Sequence, residues 1–161
     1  MVALGEQDER LLRRAIAISR RSREHGNHPF GALLADRDGA ILLEAENSVV
    51  TTGDVTGHAE TDLIRMATTT LPPEVLVKAT LYASTEPCAM CAGAIYWSGI
   101  DRLVYAMAET DLLRLTGSHP ENQTLDLGCR VVLASGQRQI AVIGPVLAKE
   151  AMAVHEGFWD R

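Results

Sequence analysis

The chain has 161 residues, 47% hydrophobic and 22% charged, which is the composition of an ordinary globular protein with one domain over 1–161. Its 15 Lys and Arg against 21 Asp and Glu give a net charge of −6, which argues against a large polyanionic partner such as a nucleic acid. No apolar run reaches the roughly 20 residues of a membrane span, no secretory leader is recognisable, and three cysteines do not make a disulfide framework, so we expect a cytoplasmic protein without a membrane partner.

Hydrophobic periodicity defines the first predicted elements. Residues 6–24 carry apolar side chains at helical spacing, with arginines over much of the remaining surface, and predict a helix. Two short apolar runs, 31–35 and 40–45, flank Asp38-Gly39, a pair typical of a β-hairpin turn. A polar loop is expected over 51–57.

The rest of the chain alternates predicted helices and strands. Helices are expected at 58–69, 88–98, 126–134 and 146–157, strands at 79–83, 102–106 and 138–143, and a loop-rich stretch at 111–124. A hairpin followed by such an alternation predicts a three-layer α/β/α domain around a central mixed sheet of five strands.

Metal-type ligands stand at the start of two of these helices. His58 and Glu60 open one helix, and Cys88 and Cys91 open another. Cys88 and Cys91, at i and i+3, share a helix face and can chelate one ion, and a helix N-terminus favours the thiolate form. His58 and Glu60, at i and i+2, can both approach that ion only at the helix entrance. This geometry predicts His58 as the third ligand and Glu60 as a proton carrier.

Three protein ligands leave one corner of a tetrahedral zinc open, which is the arrangement of a catalytic site. We therefore expect one Zn²⁺ per chain with a water or hydroxide as the fourth ligand. Zinc lowers the pKa of such a water from about 15.7 towards about 7. Glu60 could then accept a proton from the water and deliver it to a substrate.

Other interpretations of the same residues stay open at this point. The Cys-x-x-Cys pair could be a redox motif, although such motifs do not need His-x-Glu upstream. It could also hold a structural zinc with a fourth ligand from Cys129, His119 or His155, none of which has chelate spacing. Finally, the five residues of the pattern could occur in this order by coincidence.

The order His-x-Glu followed by Pro-Cys-x-x-Cys is the signature of the zinc deaminases. At these residues the chain resembles the cytidine and deoxycytidylate deaminase superfamily, in its branch of nucleobase deaminases. The similarity runs over about residues 27–106 and includes the segments 28–32, 54–60 and 81–95. It implies the cytidine deaminase-like fold, the zinc ligands and proton carrier described above, and a homodimer.

The resemblance also bears on substrate contacts. Asn47 stands where the family has an Asn that hydrogen-bonds the base, and Trp97 lies in a segment, 93–97, that is similar to guanine deaminases. The C-terminal Phe158 and Trp159 either close over a small ligand or dock the last helix. The predicted substrate contacts are Asn47, Phe30, Glu86, Trp97, Phe158 and Trp159.

The expected reaction is zinc-dependent hydrolytic deamination of a free nucleobase or nucleoside, with guanine or a related aminopurine as the first candidate. Cytosine or another small aminated heterocycle, adenosine in tRNA, and an inactive binding module are the alternatives. Intact Glu60 argues against the inactive module. The D-x-K-x-G-A stretch typical of tRNA deaminases is absent at 108–113, which argues against tRNA, whereas the arginine-rich first helix is a contrary sign.

One polar segment has no counterpart in either group of deaminases. It spans 116–123 and contains His119, Glu121 and Asn122. Loops of this kind on a rigid scaffold often set specificity, so these side chains could contact the edge of a base. An ordinary surface loop explains the same composition.

Overall fold

The computed structural model of the protein describes residues 4–160. Its centre is a sheet of five strands: β1 Gly31–Ala35, β2 Ile41–Glu46, β3 Thr80–Thr85, β4 Arg102–Met107 and β5 Ala141–Ile143. Their order is β2-β1-β3-β4-β5, with β1 antiparallel to both β2 and β3, and with β3, β4 and β5 parallel to one another. This mixed five-stranded sheet confirms the predicted fold class.

Helices cover both faces of the sheet. They are α1 Glu6–Glu24, α2 Val49–Thr52, α3 Ala59–Thr70, α4 Pro73–Leu76, α5 Ala89–Ser98, α6 Glu109–Thr116, α7 Cys129–Ala134 and α8 Ala148–His155. Within residues 4–160, no helix has both the length and the apolar content needed to cross a bilayer.

Two hydrophobic clusters lie on opposite faces of the sheet because successive strand residues point to opposite sides. Leu81 and Leu103 pack with α3, α5 and α7 on one face, whereas Tyr82 and Val104 pack with α1 and α8 on the other. The three layers therefore follow from the alternation along β3 and β4.

The structure differs from the sequence prediction mainly at α6. Residues 111–124 were expected to be loop-rich, but Glu109–Thr116 forms a helix that buries Leu112. Its first backbone N–H, that of Glu109, is accepted by the carboxylate of Glu86 at 3.0 Å. This capping group lies on another segment of the chain, so local periodicity does not reveal it. The short helices α2 and α4 were also not predicted.

The parallel strands β3 and β4 position the functional site. Thr85, the last residue of β3, pairs with Met107, the last residue of β4. Helix α5 begins just beyond β3, and α6 begins just beyond β4. In open α/β sheets the crevice outside the carboxyl ends of parallel strands is the usual ligand site.

Gly31 brings β1 into close contact with α1. A Cβ at this position would lie 2.5 Å from the backbone nitrogen of Ser19 and 2.7 Å from the carbonyl oxygen of Ala15. Backbone atoms cannot move aside as a flexible side chain can, so Gly31→Ala should lower the free energy of unfolding by about 1–3 kcal/mol. A Cβ added at Gly93 on α5 would meet no atom within 4 Å outside the backbone of its own helix. Gly93→Ala should therefore raise the free energy of unfolding by about 0.5–1 kcal/mol. Urea unfolding measures both, and an unchanged midpoint for Gly31→Ala contradicts this packing.

Candidate metal centre and active site

Three metal-type ligand atoms converge at the starts of α3 and α5. His58 immediately precedes α3, Cys88 immediately precedes α5, and Cys91 lies in the first turn of α5. Nδ1 of His58 lies 3.6 Å from Sγ of Cys88 and 3.5 Å from Sγ of Cys91. Among residues 4–160 this is the only group of three or more such side chains close enough to hold one metal ion.

The arrangement fits a zinc ion. Tetrahedral zinc with Zn–S of about 2.3 Å and Zn–N of about 2.0–2.1 Å requires the nitrogen and sulfur ligands to be about 3.6 Å apart. The two distances from His58 Nδ1 match this separation. One imidazole and two thiols also form a donor set that zinc prefers, and three ligands leave the fourth position for water.

The pKa values of the two thiols are shifted in opposite directions. The hydrogen bond from Cys91 is the main cause that lowers the pKa of Cys88 to about 4, with a further contribution from His58. The same hydrogen bond and burial raise the pKa of Cys91, and the hydrogen bond to Cys88 raises the pKa of His58. A metal ion would replace these protons, so its binding is coupled to their release.

Glu60 lies beside this cluster without being needed as a ligand. It is the second residue of α3, is buried, and its Oε2 lies 3.5 Å from Sγ of Cys91. Burial is the main cause that raises the pKa of its carboxyl to about 7, and the charge on His58 opposes the rise. A carboxyl with a pKa near neutrality suits proton transfer in both directions.

A cavity of about 210 Å³ lies over these residues. This volume is below the roughly 300–1,000 Å³ of sites for drug-sized ligands, and it suits a smaller molecule. Besides His58, Glu60 and Cys88, the wall is formed by His28, Phe30, Asn47, Val49, Val55, Thr85, Glu86, Glu109, Leu112, Glu121 and Asn122.

Three of the six predicted substrate contacts line the cavity. They are Phe30, Asn47 and Glu86. Oδ1 of Asn47 accepts the backbone N–H of Val49 at 3.1 Å, which fixes the orientation of the amide. Both carboxylate oxygens of Glu86 instead accept backbone N–H groups, so this side chain holds the wall rather than presenting free acceptors to a ligand.

Trp97 does not line the cavity. Its side chain is 85% exposed and its ring meets that of Tyr96 edge to face at 5.4 Å. Trp97 lies six positions after Cys91. Because an α-helix has about 3.6 residues per turn, the two side chains point to different sides of α5. Trp97 therefore lies outside the cavity of the single chain, and its predicted contact with the substrate stays a prediction.

The C-terminal aromatic residues support the cavity wall from behind. Phe158 and Trp159 are buried and are absent from the cavity lining. The Trp159 ring lies 5.6 Å from the ring of His28, 6.3 Å from Phe30 and 5.3 Å from His119. Of the two roles expected for these residues, the structure places them in the docking position.

His155 on α8 fixes the Trp159 ring. Its Nδ1 accepts the indole N–H of Trp159 at 3.0 Å, and the two rings stack. Burial, with a smaller contribution from the charge of Arg23, lowers the pKa of His155 to about 4. His155 is therefore neutral in the folded protein at neutral pH.

The loop between α6 and α7 contributes part of the wall. Glu121 and Asn122 line the cavity, and Oε2 of Glu121 lies 3.2 Å from Nε2 of His28. His119 instead packs on Trp159. The polar segment singled out in the sequence thus supplies two residues to the cavity.

Six wall residues were not predicted from the sequence: His28, Val49, Val55, Thr85, Glu109 and Leu112. Two of them carry polar groups at the carboxyl ends of strands. Thr85 ends β3, and Glu109 begins α6. The only local indication is their position directly after predicted strands, because polar residues there face the ligand crevice of an α/β sheet.

Comparison with known proteins agrees with this geometry. A family model described as the cytidine and deoxycytidylate deaminase zinc-binding region matches residues 5–107. The matched region contains His58, Glu60, Cys88 and Cys91.

Similar proteins carry the names of three different substrates. The chain is 43% identical over 157 residues to a probable cytosine deaminase of Schizosaccharomyces pombe, covering 98% of this chain and 95% of that protein. It is 42% identical over 104 residues to the guanine deaminase of Bacillus subtilis, covering 64% and 66% respectively. A solved structure from a study of A-to-I editing by tRNA:A34 deaminases matches 91% of this chain and 99% of its own, with TM-score 0.68 and 28% identity.

Removing one thiol tests the ligand set. Cys88→Ala should reduce bound zinc from about one ion per chain to a small fraction of that, because two ligands bind zinc far more weakly than three. Metal analysis by mass spectrometry after dialysis against a weak chelator measures the content. Cys129→Ala is the matched control, since Cys129 is also buried but lies outside the cluster. Full zinc retention by Cys88→Ala contradicts the assignment.

The neutral state of His155 predicts a pH dependence of stability. The unfolded chain takes up a proton on this residue near pH 6.5, whereas the folded protein resists it until about pH 4. The stabilisation is therefore complete above pH 6.5 and is lost as the pH falls towards 4. Thermal unfolding of the wild type and His155→Asn over this range separates this effect from acid release of metal, which affects both proteins. Identical pH profiles contradict the role of His155.

Proposed function

The chain belongs to the cytidine and deoxycytidylate deaminase family, and we propose that it hydrolyses the exocyclic amino group of a free nucleobase and releases ammonia. Family membership makes it a hydrolase acting on C–N bonds. The observation that carries the proposal is the buried carboxyl of Glu60, which lies at a small cavity beside the zinc-type ligands.

The residues divide the chemistry among themselves. His58, Cys88 and Cys91 would hold a zinc ion, which would lower the pKa of a water at its open position. Glu60 accepts a first proton from the attacking water and gives it to the ring nitrogen. It then accepts the second proton, from the hydroxyl that the carbon has gained, and gives it to the leaving amine. The carbon gains the water oxygen, the C–N bond breaks, and ammonia leaves. Asn47, oriented by the Val49 N–H, hydrogen-bonds the base.

The lining of the cavity favours a small neutral substrate over a polynucleotide. A volume of about 210 Å³ accommodates a single base. Within residues 4–160 the wall carries the carboxyl groups of Glu60, Glu86, Glu109 and Glu121, and no Lys or Arg lines it. Nucleic-acid-binding proteins neutralise phosphates with Lys and Arg, so this wall offers no partner for a phosphate.

The arginine-rich helix α1 does not offer a free basic patch. Several of its arginines form ion pairs with acidic side chains of neighbouring elements: Arg13–Glu150, Arg14–Glu44 and Arg21–Glu46. Arg23 donates to the carbonyl oxygens of Val154 and Glu156. These contacts tie α1 to β2 and α8, which weakens the argument for tRNA drawn from the arginines of α1.

Guanine and cytosine are the two candidate bases, each supported by a different observation. Identity to the Bacillus subtilis guanine deaminase, 42% over 104 residues, supports guanine or a related aminopurine. Identity to the Schizosaccharomyces pombe probable cytosine deaminase, 43% over 157 residues, extends over 98% of this chain and supports cytosine. The exposed position of Trp97 removes one argument for guanine.

A homodimer stays a prediction of the family resemblance. The exposed apolar residues of α5 and α7 are candidate contacts for it. They are Met90, Trp97 and Val131. Exposed apolar surface on neighbouring helices commonly marks a protein interface.

Glu60→Gln tests the proposed chemistry. The amide has the shape of the carboxyl but cannot carry the proton, so kcat for guanine or cytosine should fall by about 10²–10⁴-fold while zinc content stays unchanged. Ammonia release measures turnover. Glu74→Gln, an exposed acid of α4 outside the cavity, is the matched control and should retain full activity. Near-normal turnover by zinc-loaded Glu60→Gln rules out the assigned role.

A further inference from the structure

Two polar side chains of the cavity wall lack protein partners. Oγ1 of Thr85 is the only buried side-chain oxygen or nitrogen within residues 4–160 that has no hydrogen bond, and the residue is 2% exposed. Glu109 is 7% exposed as a residue, but its carboxyl oxygens are not fully buried, and they form no hydrogen bond with any residue of this described range. A buried polar group without a partner is destabilising, so native proteins rarely keep one without a reason.

Both groups lie at one end of the sheet. Thr85 is the last residue of β3, and its neighbour in the sheet is Met107 at the end of β4. Glu109 follows two residues later, and its backbone N–H is held by Glu86 at 3.0 Å. Thr85 is therefore held by the end of a strand, and Glu109 by the capped start of a helix. Such rigid backbone is the support that a selective binding site needs.

Resting on the proposed deaminase function, we propose that the Thr85 hydroxyl and the Glu109 carboxyl form a subsite that binds a polar edge of the base and selects among bases. A carboxyl oxygen accepts from a ring N–H or amino group, and a hydroxyl donates to an adjacent ring nitrogen or carbonyl oxygen. Guanine and cytosine both present a donor beside an acceptor. The bound base would therefore form the hydrogen bonds that Thr85 and Glu109 lack in the protein alone.

The alternative is that both side chains serve the fold alone. A structural Thr or Glu is expected to bond to neighbouring protein groups, as Glu86 does with two backbone N–H groups. Neither Thr85 nor Glu109 does so within residues 4–160. Removing the Thr85 hydroxyl should therefore weaken binding without weakening the fold, which a structural role does not allow.

Thr85→Val is the decisive variant because it keeps the shape and removes the hydroxyl. The loss of one hydrogen bond to the base should lower kcat/KM about tenfold, mainly through KM, with zinc content unchanged. The melting temperature should stay the same or rise by about 2–4 °C, because an unsatisfied buried hydroxyl is gone. Thr80→Val, at the other end of β3 and outside the cavity, is the matched control and should retain wild-type kcat/KM.

Glu109→Gln tests the second group. The amide replaces one acceptor oxygen with a donor, so the ratio of kcat/KM for guanine to that for cytosine should change by about tenfold or more. Wild-type kcat/KM in Thr85→Val, or a lower melting temperature with unchanged KM, overturns the subsite. An unchanged substrate ratio in Glu109→Gln overturns the part assigned to Glu109.

A binding measurement tests the proposed subsite independently of the proposed reaction. Glu60→Gln protein should bind guanine or cytosine without turning it over, and calorimetric titration measures the affinity. Adding Thr85→Val to Glu60→Gln should weaken that binding about tenfold, even if the wild type were to release no ammonia. Equal affinities with and without Thr85→Val, or no binding of either base, overturn the subsite.

Discussion

The carboxylate of Glu86 ties the parts of the site together. One oxygen accepts the N–H of Glu109 at 3.0 Å and the other accepts the N–H of Cys129 at 2.9 Å, so a single side chain holds the starts of α6 and α7. Negative charge is favourable at both places because helix N-termini carry partial positive charge. Since Glu86 directly precedes Pro87-Cys88, the metal-ligand turn and the two helices at the cavity are fixed relative to each other.

Several buried groups of the site destabilise the fold when neither a ligand nor a metal ion is bound. Burial raises the pKa of Glu60 to about 7 and of Glu109 to about 8, and Thr85 has no partner within residues 4–160. Such local conflicts are expected where function rather than folding selects the residues. The Asp8–Arg102–Tyr82 network shows the contrast, since its buried polar atoms bond to one another across α1, β3 and β4.

The sequence predicts what depends on spacing along the chain and misses what depends on packing. Cys88 and Cys91 are three apart on one helix, and the strand alternation is local, so the zinc-type ligands and the sheet were predicted. Helix α6 was missed because its cap, Glu86, lies on another element. Trp97 was assigned to the substrate by similarity alone, whereas the helical repeat turns it to solvent. Thr85 and Glu109 come to the same end of the sheet, and to one cavity, only when β3 and β4 pair.

The central claim is that a small acidic cavity beside a zinc-type centre acts on a free base rather than on a base within RNA. Steady-state ammonia release by zinc-loaded protein from guanine, cytosine, their nucleosides and a tRNA anticodon stem-loop tests it most directly. The account predicts turnover of at least one free base, with kcat/KM above that of the stem-loop. Turnover of the stem-loop alone, or of no member of this panel by protein with zinc bound, would contradict it.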